Sequence, residues 1–179
     1  FDSETTTLKV LRNGKQVAAG QLSQPVGRAI IEDFYSAYMG EEKRGKTRLV
    51  EMPRGSMFSD HKNPVLSFIN LASVKDLERV VGEEIDPIRF RGNILIDGLA
   101  AWEEMNWTGM EVSIGTVRFQ ITEKIDRCGA TNVNPSSGER DMNIPKALQR
   151  GYGHIYMGVY GRVVEAGQVA SGDAIRNID

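Results

Sequence analysis

The sequence predicts a mainly β fold, a closed or nearly closed β-barrel accompanied by a few short helices. From residue 88 onward, short apolar segments recur at 93–96, 110–114, 117–123, 155–164 and 174–178, with Gly and Asp between them. Segments of this length and spacing read as strands joined by turns. Helical spacing is found only at intervals, and a chain of many short strands removes its exposed edges by closing on itself.

The upstream elements follow from local signals. Thr6, Leu8 and Val10 alternate up to Asn13-Gly14, after which Val17 and Ala19 resume, a pattern that predicts a tight β-hairpin. After Pro25, the positions of Ile30, Ile31, Phe34, Tyr35 and Tyr38 follow helical spacing and stop at Gly40, so residues 26–39 read as an amphipathic helix. Residues 41–48 read as a solvated turn, 49–52 as a short strand, and Pro53-Arg54-Gly55-Ser56 as another turn. Residues 65–70 are apolar and branched enough for a buried strand. Ser73 is then expected to cap a helix that ends at Gly82, with an acidic residue at capping-box spacing. This pattern divides the chain into a partial β/α segment at 1–50 and a barrel domain at 51–179.

Composition narrows the function classes. Lys and Arg number 22 against 24 acidic residues, a net charge of −2, so no long-range positive field gathers a phosphate backbone and nucleic acid is excluded as a partner. No stretch approaches the roughly 20 apolar residues of a membrane span. The one cysteine excludes an internal disulfide and any iron–sulfur cluster held by this chain alone, and it suits a reducing, cytoplasmic location. His61 and His154, the only two histidines, lie too far apart in sequence to suggest a histidine cage. The N-terminus lacks both an initiator Met and a secretory pattern, as in a fragment or processed chain.

The sharpest chemical feature is Cys128, where Asp126-Arg127-Cys128-Gly129 leads from a strand into a run of turn formers. A guanidinium beside a thiol favours the thiolate, the form that attacks electrophiles and ligates soft metals, and Asp126 opposes it. Neighbours on a strand point to opposite faces, so help from Arg127 requires irregular backbone. Taken alone, a solitary cysteine is more often a small buried residue than a reactive one. In a second cluster, Arg89, Arg91 and Asn93 alternate, which on a strand would aim three donor-rich side chains at one anion. The plainer alternative is a solvated strand edge paired with acids. Trp102 and Trp107 bracket Glu103 and Glu104; the indoles are expected to pack, and the carboxylates to neutralise Arg89 or Arg127. Asp141, His154 and Asp173 read more as structure than as site.

Taken together, Arg89-Phe90-Arg91-Gly92-Asn93-Ile94, Trp102-Glu103-Glu104 with Trp107, Ile114-Gly115, Arg127-Cys128-x-x-Thr131-Asn132-Val133-x-Pro135-x-x-Gly138, Gly158-Val159-Tyr160 and the segment 167–173 resemble the MOSC (molybdenum cofactor sulfurase C-terminal) domain family in order and spacing. Phe58-Ser59-Asp60, Pro64-Val65 and Leu71-Ala72-Ser73-Val74 look like the approach segment of its amidoxime-reducing branch. The resemblance implies a MOSC-like barrel that binds the molybdenum cofactor, with Cys128 as metal ligand and catalytic residue. Arg89, Asn93, Arg127, Thr131 and Ser73 become candidate cofactor contacts. It implies reduction of N-hydroxylated or similar N-oxygenated small molecules, with electrons from a separate donor protein. A second reading makes the chain a sulfur carrier, in which Cys128 takes a persulfide from a separate sulfur donor. A non-catalytic cofactor-binding barrel and an inert cysteine are the remaining alternatives.

Overall fold

In the computed structural model, residues 1–53 and 61–178 are described, and the chain separates into two units, Phe1–Ser56 and Met57–Asp179. The first unit opens with an antiparallel hairpin of β1 (Thr7–Arg12) and β2 (Lys15–Gln21). Its turn places Asn13 at φ 50 and Gly14 at φ 75, the two left-handed residues that the Asn-Gly signal provides for. Helix α1 (Pro25–Met39) begins on Pro and ends at Gly40, as its spacing indicates. It meets β2 through glycine: a Cβ on Gly27 would lie 2.1 Å from the Gln21 carbonyl oxygen, so no side chain fits between the backbones there.

Residues 49–52 do not form the expected strand. Side chains of α1 take the place of a strand partner at Leu49: its N–H donates to Glu32 Oε1 at 2.8 Å and its carbonyl accepts from Arg28 Nη2 at 2.6 Å. With both backbone groups satisfied, Leu49 needs no ladder. The turn expected at Pro53–Ser56 and the segment 58–60 lie, apart from Pro53, outside the described residues.

The second unit is a six-stranded sheet. Its strands are β3 (Leu66–Asn70), β4 (Ile94–Ile96), β5 (Glu111–Ile114), β6 (Val117–Asp126), β7 (Tyr156–Glu165) and β8 (Ile175–Ile178). They lie in the order β4-β3-β7-β6-β5-β8. All neighbours are antiparallel except β3 and β4, which are bridged by helix α2 (Leu71–Val81). Every strand expected beyond residue 88 is present. The barrel takes the form of a curled half-barrel. Its bend has a local cause, since the β6–β7 register shifts at three places and each bulge bends the strand that carries it.

Two apolar clusters sandwich the sheet. Phe68, Val112, Ile114, Phe119, Ile121 and Val159 belong to one, and Ile69, Val74, Leu77, Ile144, Leu148 and Met157 to the other. The second is covered by α2 and by α3 (Ile144–Tyr152), a helix that the sequence pattern does not predict. Helix α2 starts three residues earlier than expected. Its cap is Asn70, whose side chain accepts the Ala72 N–H at 3.0 Å, and Ser73 sits buried inside the first turn.

Met157 and Val159 are two residues apart on β7 yet belong to opposite clusters. Gly158 between them has φ +78 and breaks the alternation that a regular strand imposes. A Cβ there would lie 2.3 Å from the Phe68 carbonyl oxygen and 2.6 Å from Ile69 Cδ1. Gly158→Ala therefore combines left-handed strain with overpacking and should cost at least about 3 kcal/mol in urea unfolding. Gly14→Ala, with φ +75 and nothing within 4 Å of the added carbon, should cost about 1 kcal/mol; equal losses would contradict this account of the kink.

Candidate functional site

Cys128 lies two residues past the end of β6 and is exposed. Its backbone is extended and leads into a 3-10 turn, Gly129–Asn132. Thr131 closes that turn: its N–H and its hydroxyl both donate to the Cys128 carbonyl, at 3.2 and 2.9 Å. Asn132 Oδ1 then accepts the Ile144 N–H at 2.9 Å, anchoring the turn to the start of α3.

Arg127 points the other way, into the protein, and is buried. Its Nε donates to the Met157 carbonyl at 2.8 Å, Nη2 to the same carbonyl, and Nη1 to the Phe90 carbonyl at 3.1 Å. The guanidinium also lies 5.4 Å from the centre of the Phe90 ring, within cation–π range. Burial pulls its pKa down to about 10, so it remains a cation at neutral pH. All three nitrogens of the guanidinium are thus committed to main-chain carbonyls and not to the neighbouring thiol.

The expected alternation of Arg89, Arg91 and Asn93 is absent, because residues 87–90 form a 3-10 turn and Arg91 is left-handed at φ 51. Arg89 is buried and Arg91 exposed. Asn93 faces β3, where its Oδ1 accepts from both the N–H and the hydroxyl of Ser67 at 2.9 Å. Arg89 Nη2 donates to Asp141 Oδ2 at 2.8 Å, and Asn134 Nδ2 donates to the same oxygen at 2.7 Å. These bonds hold the Asp141 carboxyl down at about 2, ionised throughout the neutral range. Through Asp141 the Arg89 turn is tied to the loop that follows Cys128, and the turns Pro87–Phe90 and Gly129–Asn132 pack on each other. Arg89 Nε and Nη1 are buried with no acceptor among the described residues. A buried cation with two donors unfilled suits an anionic ligand, since leaving such groups unmet costs free energy.

Glu104 neutralises neither arginine. It is fully buried and accepts from neutral groups, Asn70 Nδ2 at 2.8 Å and Ser73 Oγ at 2.8 and 2.9 Å to its two oxygens. Ser73 Oγ in turn accepts the Trp102 N–H at 2.8 Å, while Glu103 accepts from the Ala100 N–H. Cys128, Arg89, Arg127 and Thr131 thus share one neighbourhood, whereas Asn93 and Ser73 are engaged in separate networks. Asp141, a structural residue by its sequence context, is the link between the two arms of the site, 52 residues from Arg89 in sequence. Among the described residues no three His, Cys, Asp or Glu side chains converge as a metal site. A metal held by Cys128 would have to bring its remaining ligands with it, as a pterin-bound metal does.

Comparison with known proteins gives the family: the chain belongs to the MOSC domain family, whose model matches residues 56–176. Molybdenum cofactor sulfurase of Bos taurus is 31% identical over 105 residues, 51% of this chain and 12% of that protein. Its Caenorhabditis briggsae counterpart is 36% identical over 115 residues, 60% of this chain and 16% of that protein. The human protein is 36% identical over 78 residues, 44% of this chain and 8% of its own length. The chain thus spans a small fraction of these relatives. The crystal structure of YiiM from Geobacillus stearothermophilus matches with a TM-score of 0.50 at 19% identity, over 64% of this chain and 54% of that one, and supports the fold. Among the described residues no helix is long and apolar enough to cross a membrane.

The Glu104 network gives a test with a defined sign. Burial raises its carboxyl above the ordinary 4.5, so its contribution is fully present below 4.5 and is lost as pH rises through the folded value. Wild-type stability should fall as pH rises from 5 to 8 relative to Glu104→Gln, which does not titrate. Glu104→Ala, which strands Asn70 and Ser73, should cost about 3 kcal/mol at pH 7. Parallel pH profiles for wild type and Glu104→Gln would contradict the assignment.

Proposed function

We propose that this MOSC domain binds the molybdenum cofactor with the Cys128 thiolate as the protein ligand of the metal, and that it reduces N-hydroxylated or similar N-oxygenated small molecules. The observation that carries the reading is an exposed thiol at the head of a turn that packs on the turn carrying Arg89, a buried guanidinium with two unused donors among the described residues. A soft thiolate suits a redox-active transition metal, and an Arg fork suits the phosphate of a pterin cofactor. Arg127 and Thr131 hold the turn that presents the thiol, while Asn93 and Ser73 brace the elements behind it. The bound metal supplies the redox chemistry, and electrons arrive from a separate donor protein in a cytoplasmic setting. The likeness of Phe58-Ser59-Asp60, Pro64-Val65 and Leu71-Ala72-Ser73-Val74 to the amidoxime-reducing branch supports this choice of reaction.

A second reading is favoured by the molybdenum cofactor sulfurases that the chain matches: Cys128 carries a persulfide received from a sulfur donor. The chain has no second cysteine, so such a persulfide is not discharged as an internal disulfide. Metal analysis of protein produced alongside active molybdopterin synthesis separates the two. The proposal expects about one molybdenum per chain, lost at least tenfold in Cys128→Ala. Cyanolysable sulfur without molybdenum would instead establish the carrier, and neither species on Cys128 would overturn both.

A further inference from the structure

Four aromatic side chains lie together at the end of the β6–β7 ladder from which the chain runs on to Cys128. The β6–β7 ladder pairs Asp126 with Tyr156, and the next bond runs from the Arg127 N–H to the Ile155 carbonyl at 2.9 Å. Cys128 and His154 each lie two residues beyond the last pair of that ladder, Asp126 with Tyr156, at the same end of the two strands. His154 packs 5.5 Å from the Tyr156 ring, 6.0 Å from Tyr152 at an interplanar angle of 23°, and 6.0 Å edge-on from Trp102. Trp102 and Tyr152 are 4.3 Å apart.

This cluster is held rigidly and left partly open. Asp76 Oδ2 accepts from Trp102 Nε1 at 2.8 Å and from the Tyr152 hydroxyl at 2.6 Å, so one carboxylate oxygen fixes both polar ends. His154 Nδ1 accepts the Tyr156 N–H at 3.1 Å, which sets the imidazole plane. Trp102 is left-handed at φ 67, an uncommon conformation for a bulky residue that persists only where its surroundings enforce it. Trp102, Tyr152 and His154 are half-buried, and Tyr156 is 39% exposed.

We propose that Trp102, Tyr152, His154 and Tyr156 form a binding wall beside Cys128 for a planar aromatic ring of the small molecule on which the domain acts. Pre-set rings offer offset or edge-to-face contacts at little cost in ordering, and a flat ring presents the matching surface where a puckered one of equal size does not. The location beside the thiol makes it a specificity wall; that role rests on the reaction proposed above, whereas ring binding itself needs no metal.

The experiment is a fluorescence titration of the full chain with benzamide and with cyclohexanecarboxamide, equal in polar group and unequal in flatness. The chain has two tryptophans, and Trp107 is only 3% exposed, so quenching reports on Trp102. Benzamide should quench saturably and bind at least about fivefold more tightly than cyclohexanecarboxamide. Tyr156→Leu should weaken benzamide about fivefold, and Tyr156→Phe should keep affinity within twofold of wild type. Equal binding of the two probes, no saturable quenching, or no effect of Tyr156→Leu would overturn the proposal. The probe comparison needs no variant and so does not depend on one folding. Ring discrimination in protein that takes up no molybdenum would retain the wall and reject the reaction; molybdenum without ring discrimination would reject the wall alone.

Discussion

A cation buried without a carboxylate partner organises the site. Removing a guanidinium from water is costly, and here the cost is offset by three nitrogens donating to two main-chain carbonyls and by the Phe90 ring beneath. Those carbonyls belong to β7 and to the Pro87–Phe90 turn, while Arg127 itself follows β6. One side chain therefore joins three elements that are distant in sequence. With Arg127 turned inward, the following residue turns outward, and that residue is the only cysteine.

The rest of the site depends on this clamp. Gly158 has no side chain to obstruct Arg127, and its left-handed backbone gives Met157 and Val159 to different clusters. The Phe90 carbonyl, once bonded, fixes the turn that carries Arg89, and Asp141 couples that guanidinium to the loop after Cys128. An exposed thiol at the head of one turn and an under-satisfied cation in the turn packed against it are thus two results of one packing arrangement. Among the described residues no cluster of metal-binding side chains surrounds the thiol, so a metal held as proposed would have Cys128 as its protein ligand.

Much of the strand framework was legible because apolar runs bounded by Gly and Asp leave few alternatives. The Asn-Gly turn and the Gly82 stop of α2 were equally plain, since each rests on a backbone conformation that few residues adopt. Helix α3 was hidden because Asn143, Pro145 and Gly153, which cap, start and end it, resemble turn formers when read singly. The arginine pattern at 89–93 misled for a related reason: alternation implies a shared face only on a strand, and Arg91 is left-handed. For Glu104 the charge was readable and the partners were not, because Asn70 and Ser73 are 34 and 31 residues away. The aromatic wall was out of reach for the same reason, since Trp102 meets Tyr152 and His154 only through the tertiary fold.

The central claim is that Arg127 acts by holding separate segments together rather than by activating its neighbour. Hydrogen–deuterium exchange of Arg127→Met, compared with wild type, tests it directly. Replacement strands the Met157 and Phe90 carbonyls, so amides in 87–91 and in 129–133 should lose protection together, by about tenfold or more. Loss of protection confined to residues 126–129, with the 87–91 turn unchanged, would contradict the account.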